Sequence, residues 1–388
     1  MRAAVLHGRH DLRIEEVPVP RPGPGEVVLR VRAVGLCGTD AAEYAHGPAM
    51  FPIQTRHPVT GHVGPMVIGH EFAGEVVEVG EGVDPAWTGR LLASCGSLFC
   101  GDCRQCRRGR TNLCDRYAAV GLHRHGAAAQ LVAVPLASCE PADERGLPPD
   151  AAALGQPMSI AVHAARRGRL AGGERVVLFG AGGIGAFLTY VLARRGVTLA
   201  VVDPDPARRD LATRLGADAV AAAVDAAPAG EAPGTGAPGE DPPAAVSSGG
   251  PVPDDLLGGP PDVVVEASGT AAGLAAALSI LPAGARLLVV GMQKAPVTLD
   301  LRRATLRENE IIGTNAMTRT DDFPEALDLL AGRRQGWSDL APVALPLDEI
   351  VSGALAPMAA GASPAVKVLV DPAATGRRPT RTTPGQEG

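Results

Sequence analysis

Four cysteines crowd into fifteen residues: Cys100, Cys103, Cys106 and Cys114, separated by three, three and eight positions. Four thiolates so spaced can wrap one tetrahedral ion, and a closed four-sulfur shell is the structural kind of zinc site. Iron accepts the same donors; free cysteines scattered in a loop are the plain alternative. A second pattern is Phe179-Gly180-Ala-Gly182-Gly183-Ile184-Gly185. Three glycines at this spacing say little alone. Here they follow an apolar run at Arg175–Phe179, open a helical pattern, and precede a second apolar run that ends at Asp203. In that setting Gly180, Gly182, Gly183, Ile184 and Gly185 let backbone and helix N-terminus approach a pyrophosphate. Asp203 is placed to accept from a ribose 2′-hydroxyl, which favours NAD over NADP. Arg208 and Arg209 lie close enough to weigh the other way. A third pattern needs assembly in space. Gly35-Leu-Cys37-Gly-Thr39-Asp40 and Gly69-His70-Glu71-Phe-Ala-Gly74 would supply a thiolate, an imidazole and a carboxylate, a three-ligand metal site with one position open.

These residues need elements to position them. The front of the chain reads as strands. Ala3–Leu6, Leu12–Val17, Val27–Val34, Val67–Ile68, Glu75–Val79 and Leu131–Val134 are short Val-, Leu- and Ile-rich runs divided by Gly and Pro. A many-stranded, barrel-like domain is predicted there. Helical spacing begins at Asp150–Arg169. Strand runs at Arg175–Phe179, Thr198–Val202, Asp262–Glu266 and Arg286–Val290 then alternate with helical ones at 184–195, 207–215 and 271–281. That alternation predicts an α/β domain with a doubly wound parallel sheet. Val297–Leu301 and Glu310–Ile312 read as strands and Phe323–Leu330 as a helix.

Val224–Pro261 stands apart. Nine Pro, eight Gly and six acidic residues among 38, with no basic residue, give too little apolar surface to offset the entropy of ordering. It is predicted to be a flexible surface excursion, and 373–388 an unstructured tail. The 36 basic and 42 acidic residues leave a net charge of −6, which argues against nucleic acid or an anionic membrane as partner. No apolar run reaches membrane-spanning length and no secretory leader is visible, so a soluble cytoplasmic protein is expected. His57, His62, His123 and His125 read as loop histidines, His163 as a core histidine, and Cys95 and Cys139 as small buried residues.

Taken together, GLCGTD at 35–40, GHEFAG at 69–74 and the four-cysteine lobe resemble the zinc-dependent medium-chain alcohol and polyol dehydrogenases. Ala42-Glu-Tyr44 through His57-Pro-Val-Thr-Gly61, and Gln156 through Arg167, resemble the butanediol and sorbitol dehydrogenase branch. The resemblance implies a GroES-like catalytic domain over 1–155 with its zinc lobe at 95–115. It implies a Rossmann domain over 156–296 interrupted at 224–261, and a return to the catalytic domain over 297–372. It also implies two zinc ions per chain, NAD with NADP less favoured, a small alcohol or ketone as substrate, and a homodimer or homotetramer. Cys37, His70 and Glu71 would hold the catalytic zinc, and the hydroxyl of Thr39 would relay the substrate proton. Two positions depart from the branch: Ala42 replaces a relay histidine, and Gln156 replaces a glutamate near the metal. A zinc- and nucleotide-binding protein of the same fold with little turnover is the other function these departures would fit.

Overall fold

A computed structural model describes residues 1–223, 256–363 and 365–383. The chain packs as two units, Met1–Val162 with Ala316–Gly388, and His163–Asn315.

The first unit begins with β1 (Arg2–Gly8), β2 (Asp11–Glu16), β3 (Glu26–Leu36), helix α1 (Gly38–His46), β4 (Met66–Val67) and β5 (Glu71–Val79). It continues through β6 (Leu91–Ser94), β7 (Ser97–Leu98), β8 (Ala118–Ala119), β9 (Leu131–Pro135) and β10 (Cys139–Pro141) to α2 (Pro149–Ala152) and the start of α3 (Gly155–Arg167), along which the chain passes into the second unit. The long run of β-branched and leucine side chains makes β3 the spine: β5, β9 and a late strand all pair with it antiparallel. Leu29, Val31, Val34, Leu36, Phe72 and Val76 from these strands are buried in one core. The helical pattern over 150–169 is divided, because Pro157 lacks the N–H an ongoing helix needs and fits only within a first turn.

The second unit alternates strand and helix: β11 (Arg175–Phe179), α4 (Gly183–Arg194), β12 (Thr198–Val202), α5 (Pro206–Leu215), β13 (Ala219–Ala221), β14 (Val263–Glu266), α6 (Ala271–Ser279), β15 (Arg286–Val289), α7 (Leu301–Leu306) and β16 (Glu310–Gly313). All six strands are parallel, in the order β13-β12-β11-β14-β15-β16. This is the doubly wound order, with its switch point between β11 and β14, where ligands bind at the carboxyl ends of strands. The chain then returns to the first unit with α8 (Asp322–Gly332), β17 (Val343–Leu345), α9 (Ala356–Ala359), β18 (Val368–Val370) and β19 (Arg378–Pro379).

Three expectations are corrected. Val297–Leu301 is not a strand: the Asp300 carboxylate accepts the Arg303 N–H at 2.9 Å and starts α7. Glu310–Ile312 is a strand, but it extends the parallel sheet, so the return comes at Ala316 and not at 297. The tail is ordered as far as it is described. β19 pairs with β17, the Arg378 guanidinium grips both oxygens of Asp150 at 2.7 and 2.9 Å, and Thr382 is buried. Backbone pairing and charge order a segment that has little apolar surface to bury. Of the Pro- and Gly-rich excursion, 224–255 lies outside the described residues; Leu257 is buried in the core of the second unit. Among the described residues, no helix is long and apolar enough to cross a membrane.

Candidate metal centres and dinucleotide cleft

The four-cysteine lobe lies between β7 and β8. Its sulfurs gather within 4.8 Å of one another, and none forms a disulfide. Cys114 and Cys100 are 3.5 Å apart at Sγ, Cys100 and Cys106 3.9 Å. Backbone N–H groups donate to these sulfurs: Cys103 to Cys100 (3.3 Å), Cys106 to Cys103 (3.4 Å), Cys100 to Cys114 (3.4 Å) and Arg116 to Cys114 (3.3 Å). Such donors stabilise thiolates. The N–H groups of Cys106 and Asp115 lower the Cys103 thiol to about 6, while desolvation and the neighbouring sulfurs push Cys106 up to about 12. Crowded thiols that resist joint ionisation, each already met by N–H donors, fit a dication of zinc's softness.

The second cluster is made where β3 gives way to α1 and where β5 begins. Cys37 is the N-cap of α1, and its N–H donates to Asp40 Oδ2 at 2.9 Å. Glu71 lies opposite Gly35 in the β3–β5 ladder, and a Cβ at 35 would fall 2.4 Å from a Glu71 oxygen; only glycine leaves that room. Cys37, His70 and Glu71 bring one ligand atom each within 4.8 Å of the others. Asp40 Oδ1 faces His70 Nδ1 at 3.6 Å; both atoms are buried and neither has a hydrogen-bond partner. Nδ1 turned to a carboxylate leaves Nε2 for a metal, the arrangement by which carboxylates orient ligating histidines. Burial opposes charge on His70, but Asp40 and Cys37 outweigh it and hold its pKa well above the ordinary imidazole range. The donor set fits zinc.

Two residues of this site were not singled out in the sequence. One is Asp40. The other is Lys367, just before β18, whose ammonium donates to both oxygens of Glu71 (2.6 Å to Oε1) and to the Leu36 carbonyl at 3.2 Å. Both side chains of this pair are buried. Burial lowers the lysine's pKa, and the Glu71 and Cys37 charges more than restore it, so the net direction is up. Thr39 Oγ1 sits 3.8 Å from Cys37 Sγ. Gln156 stands in the first turn of α3, its Oε1 buried and without a hydrogen-bond partner.

In the second unit the glycine loop joins β11 to α4. A Cβ on Gly185 would meet the Gly180 carbonyl oxygen at 1.9 Å, so the turn closes only with glycine there. Gly182, the N-cap of α4, faces open space with only Arg208 Nη1 near, at 3.8 Å. A cleft of about 520 Å³ opens here, lined by Gly180, Gly182, Gly183, Asp203, Arg208 and Ser268. Ile184 is half-buried in the first turn of α4. Asp203 is buried; Oδ2 accepts the Ala181 N–H at 2.8 Å and Oδ1 the Asp205 N–H at 2.9 Å. The acid therefore latches the glycine loop as well as facing the cleft. Arg208 Nη1 lies 3.7 Å from Asp203 Oδ2, and Arg209 donates to the backbone carbonyls of Asp203 and Pro204.

His57, His62, His123 and His125 lie in loops and turns, as expected, and there they form two pairs. His57 and His123 rings are 4.5 Å apart, and His62 and His125 4.8 Å. Cys95, Cys139 and His163 are buried, as expected.

Comparison with known proteins agrees with these parts. Residues 23–144 match the alcohol dehydrogenase GroES-like domain, and residues 183–332 the zinc-binding dehydrogenase family. L-galactonate-5-dehydrogenase of Escherichia coli (strain K12) is 34% identical over 216 residues, 55% of this chain and 60% of that one. L-threonine 3-dehydrogenase of Rhizobium rhizogenes is 38% identical over 54% of this chain and 58% of that one. The chain thus spans somewhat over half the length of these relatives. Sorbitol dehydrogenase of Bombyx mori is 30% identical over 82% of this chain and 84% of its own. Among solved structures, 2R,3R-butanediol dehydrogenase from Bacillus subtilis superposes with a TM-score of 0.79 at 26% identity, covering 96% of this chain and 99% of that one. The sorbitol dehydrogenase match runs through both units, and with the two family matches it places the chain in the zinc-dependent medium-chain alcohol and polyol dehydrogenases.

Proposed function

We propose that the protein interconverts a secondary alcohol, of the vicinal diol or polyol class, and its ketone by hydride transfer with NAD. The observation that carries this is the buried Cys37–His70–Glu71 cluster with Asp40 behind His70. Zinc held there supplies Lewis acidity toward a carbinol hydroxyl. Cys37 gives a thiolate, and His70 gives Nε2 because Asp40 holds its other nitrogen. Glu71 is restrained by Lys367, so its carboxylate tunes the charge of the site and stands ready as a third ligand. Thr39 would accept the carbinol proton on its hydroxyl oxygen and pass its own to solvent water, since Ala42 offers no acceptor beyond it. Gln156 presents an uncharged oxygen where the related branch has a carboxylate. A nicotinamide cofactor held by the glycine loop and Asp203 would supply the acceptor for the carbinol hydride, chemistry that is the cofactor's own. Asp203 favours NAD, and Arg208 beside it gives NADP a lesser foothold.

Self-association is part of the same reading. The outer edge of β16 pairs with no strand among the described residues, and Ile311 on it and Leu301 and Leu306 on α7 are exposed. Unpaired edges with apolar neighbours recruit partners, and a second copy of the chain is the partner proposed. The test of function is a panel of vicinal diols, polyols and amino alcohols, with reduced cofactor followed by absorbance. Oxidation of at least one class, abolished by Cys37→Ser, is expected. Bound zinc and bound NAD without alcohol-dependent reduction across the panel would overturn the assignment.

A further inference from the structure

Glu266 is the last residue of β14 and is fully buried. Among the described residues, no Lys, Arg or His forms an ion pair with it. A buried carboxylate without a cation is expensive unless hydrogen bonds replace its water. Here they do. Oε1 accepts the N–H groups of Ser268 (2.7 Å) and Gly269 (2.9 Å) and the Ser268 hydroxyl; Oε2 accepts the Gln293 side-chain amide at 3.0 Å.

The donors come from two different loops. One is the turn after β14, the other the segment after β15, whose Val290 and Gly291 N–H groups also donate to the Glu266 carbonyl at 2.8 and 3.0 Å. The loops meet closely: a Cβ at Gly291 would lie 2.6 Å from Glu266 Oε2 and 2.2 Å from the Gly269 nitrogen. Glu266 is level with Phe179 in the β11–β14 ladder, one residue before the glycine loop. The turn it holds packs onto that loop, since a Cβ at Gly180 would fall 2.8 Å from Ser268 Cα. Ala267, Ser268 and Thr270 line the same cleft as Gly180, Gly182 and Asp203.

We propose that Glu266 is a positioning residue for the dinucleotide. Its carboxylate pins the 267–270 turn against the glycine loop and ties it to the 290–293 segment, so the cleft is formed before the cofactor arrives. The inference rests on the dinucleotide reading of this cleft. Preorganisation of this kind appears in affinity, because a cleft that must order on binding loses free energy to that ordering. A glutamine keeps the shape but turns one donating NH2 group toward donors, so at least one of the four is left unmatched.

The experiment uses ADP-ribose, which needs neither zinc nor turnover. Its Kd is measured by calorimetry on full-length wild type, Glu266→Gln and Glu266→Asp, well below each variant's unfolding temperature. Wild type is expected to bind, and both variants to weaken Kd by roughly tenfold or more. In steady state, KM for NAD should rise while kcat at saturating NAD changes little. Should Glu266→Gln fail to fold, Ser268→Ala, which removes one donor only, is expected to weaken Kd by a smaller factor. A folded variant with lower melting temperature and unchanged Kd would overturn the inference, showing a merely structural role. No binding by wild type would instead overturn the dinucleotide reading itself.

Discussion

Replacing Lys367 with Met removes the ammonium that pairs with Glu71 while keeping most of the side chain's volume. Lys367 is 4% exposed and Glu71 not at all, so water cannot take the lysine's place. Breaking such a pair from one side leaves an uncompensated buried charge and costs about 3–5 kcal/mol, against 1 kcal/mol or less for an exposed pair. For a unit of this size, each kcal/mol moves the melting temperature by about 2–4 °C, so a fall of roughly 6–20 °C is expected. The loss should hold across neutral pH. Lysine's raised pKa means its stabilisation is fully present below the ordinary lysine value of 10.5 and fades only as pH climbs through the raised one. Glu71→Gln combined with Lys367→Met removes both charges and should recover much of the deficit. Urea unfolding of the four species gives the coupling directly. A loss below about 1 kcal/mol in Lys367→Met, or a double variant no better than the single, would show that the pair is not held as a buried ion pair.

Metal analysis should find two zinc ions per wild-type chain; Cys103→Ser should lose the lobe's ion and stability while dinucleotide binding persists. Asp203→Ala should shift kcat/KM toward NADP, and a wild type already faster with NADP would contradict the role given to Asp203. Gln156→Glu restores the carboxylate that the related branch carries beside its metal, so the pKa controlling kcat/KM for alcohol oxidation should rise, by up to about a unit or two; an unchanged or lower value, with zinc still bound, would exclude tuning by Gln156. Acid sensitivity should trace to the histidine pairs. Burial and then His57 lower His123 to about 4, and its Nδ1 accepts the Ala119 N–H at 2.9 Å. A depressed histidine favours the neutral fold, so stability is lost as pH falls from about 6.5 toward 4. In His123→Gln that part of the pH–stability slope should shrink.

Local patterns were the legible part of this molecule. Cysteine spacing, the glycine loop between two strand runs, and the alternation of strand and helix all depend on neighbours in sequence. What assembles from distant segments was not legible. Lys367 reads as one polar residue in a valine-rich strand, and nothing nearby says that it ends on Glu71. The one available signal was its type: a lysine flanked by Val366 and Val368 must find an anion if buried. Asp40 stood inside a quoted motif, yet its contact with His70 requires β3 and β5 to pair first. Asp40 and Lys367 are opposite in sign, so together they leave the net charge around Cys37, His70 and Glu71 unchanged. The tail misled for another reason. Composition registers apolar burial, and this segment is held by Arg378, Asp150 and a short ladder instead.

Hydride transfer from a secondary carbinol to NAD, with Cys37 and His70 holding the metal, is the proposed activity of this chain. A vicinal diol oxidised in the panel, deuterated at its carbinol carbon, tests it most directly. Mass analysis of the reduced nicotinamide should show the deuterium transferred from substrate, with none drawn from solvent, and Cys37→Ser or His70→Ala should abolish the transfer while ADP-ribose still binds. Reduced cofactor lacking the substrate's deuterium, or transfer undiminished in those two variants, would contradict the account.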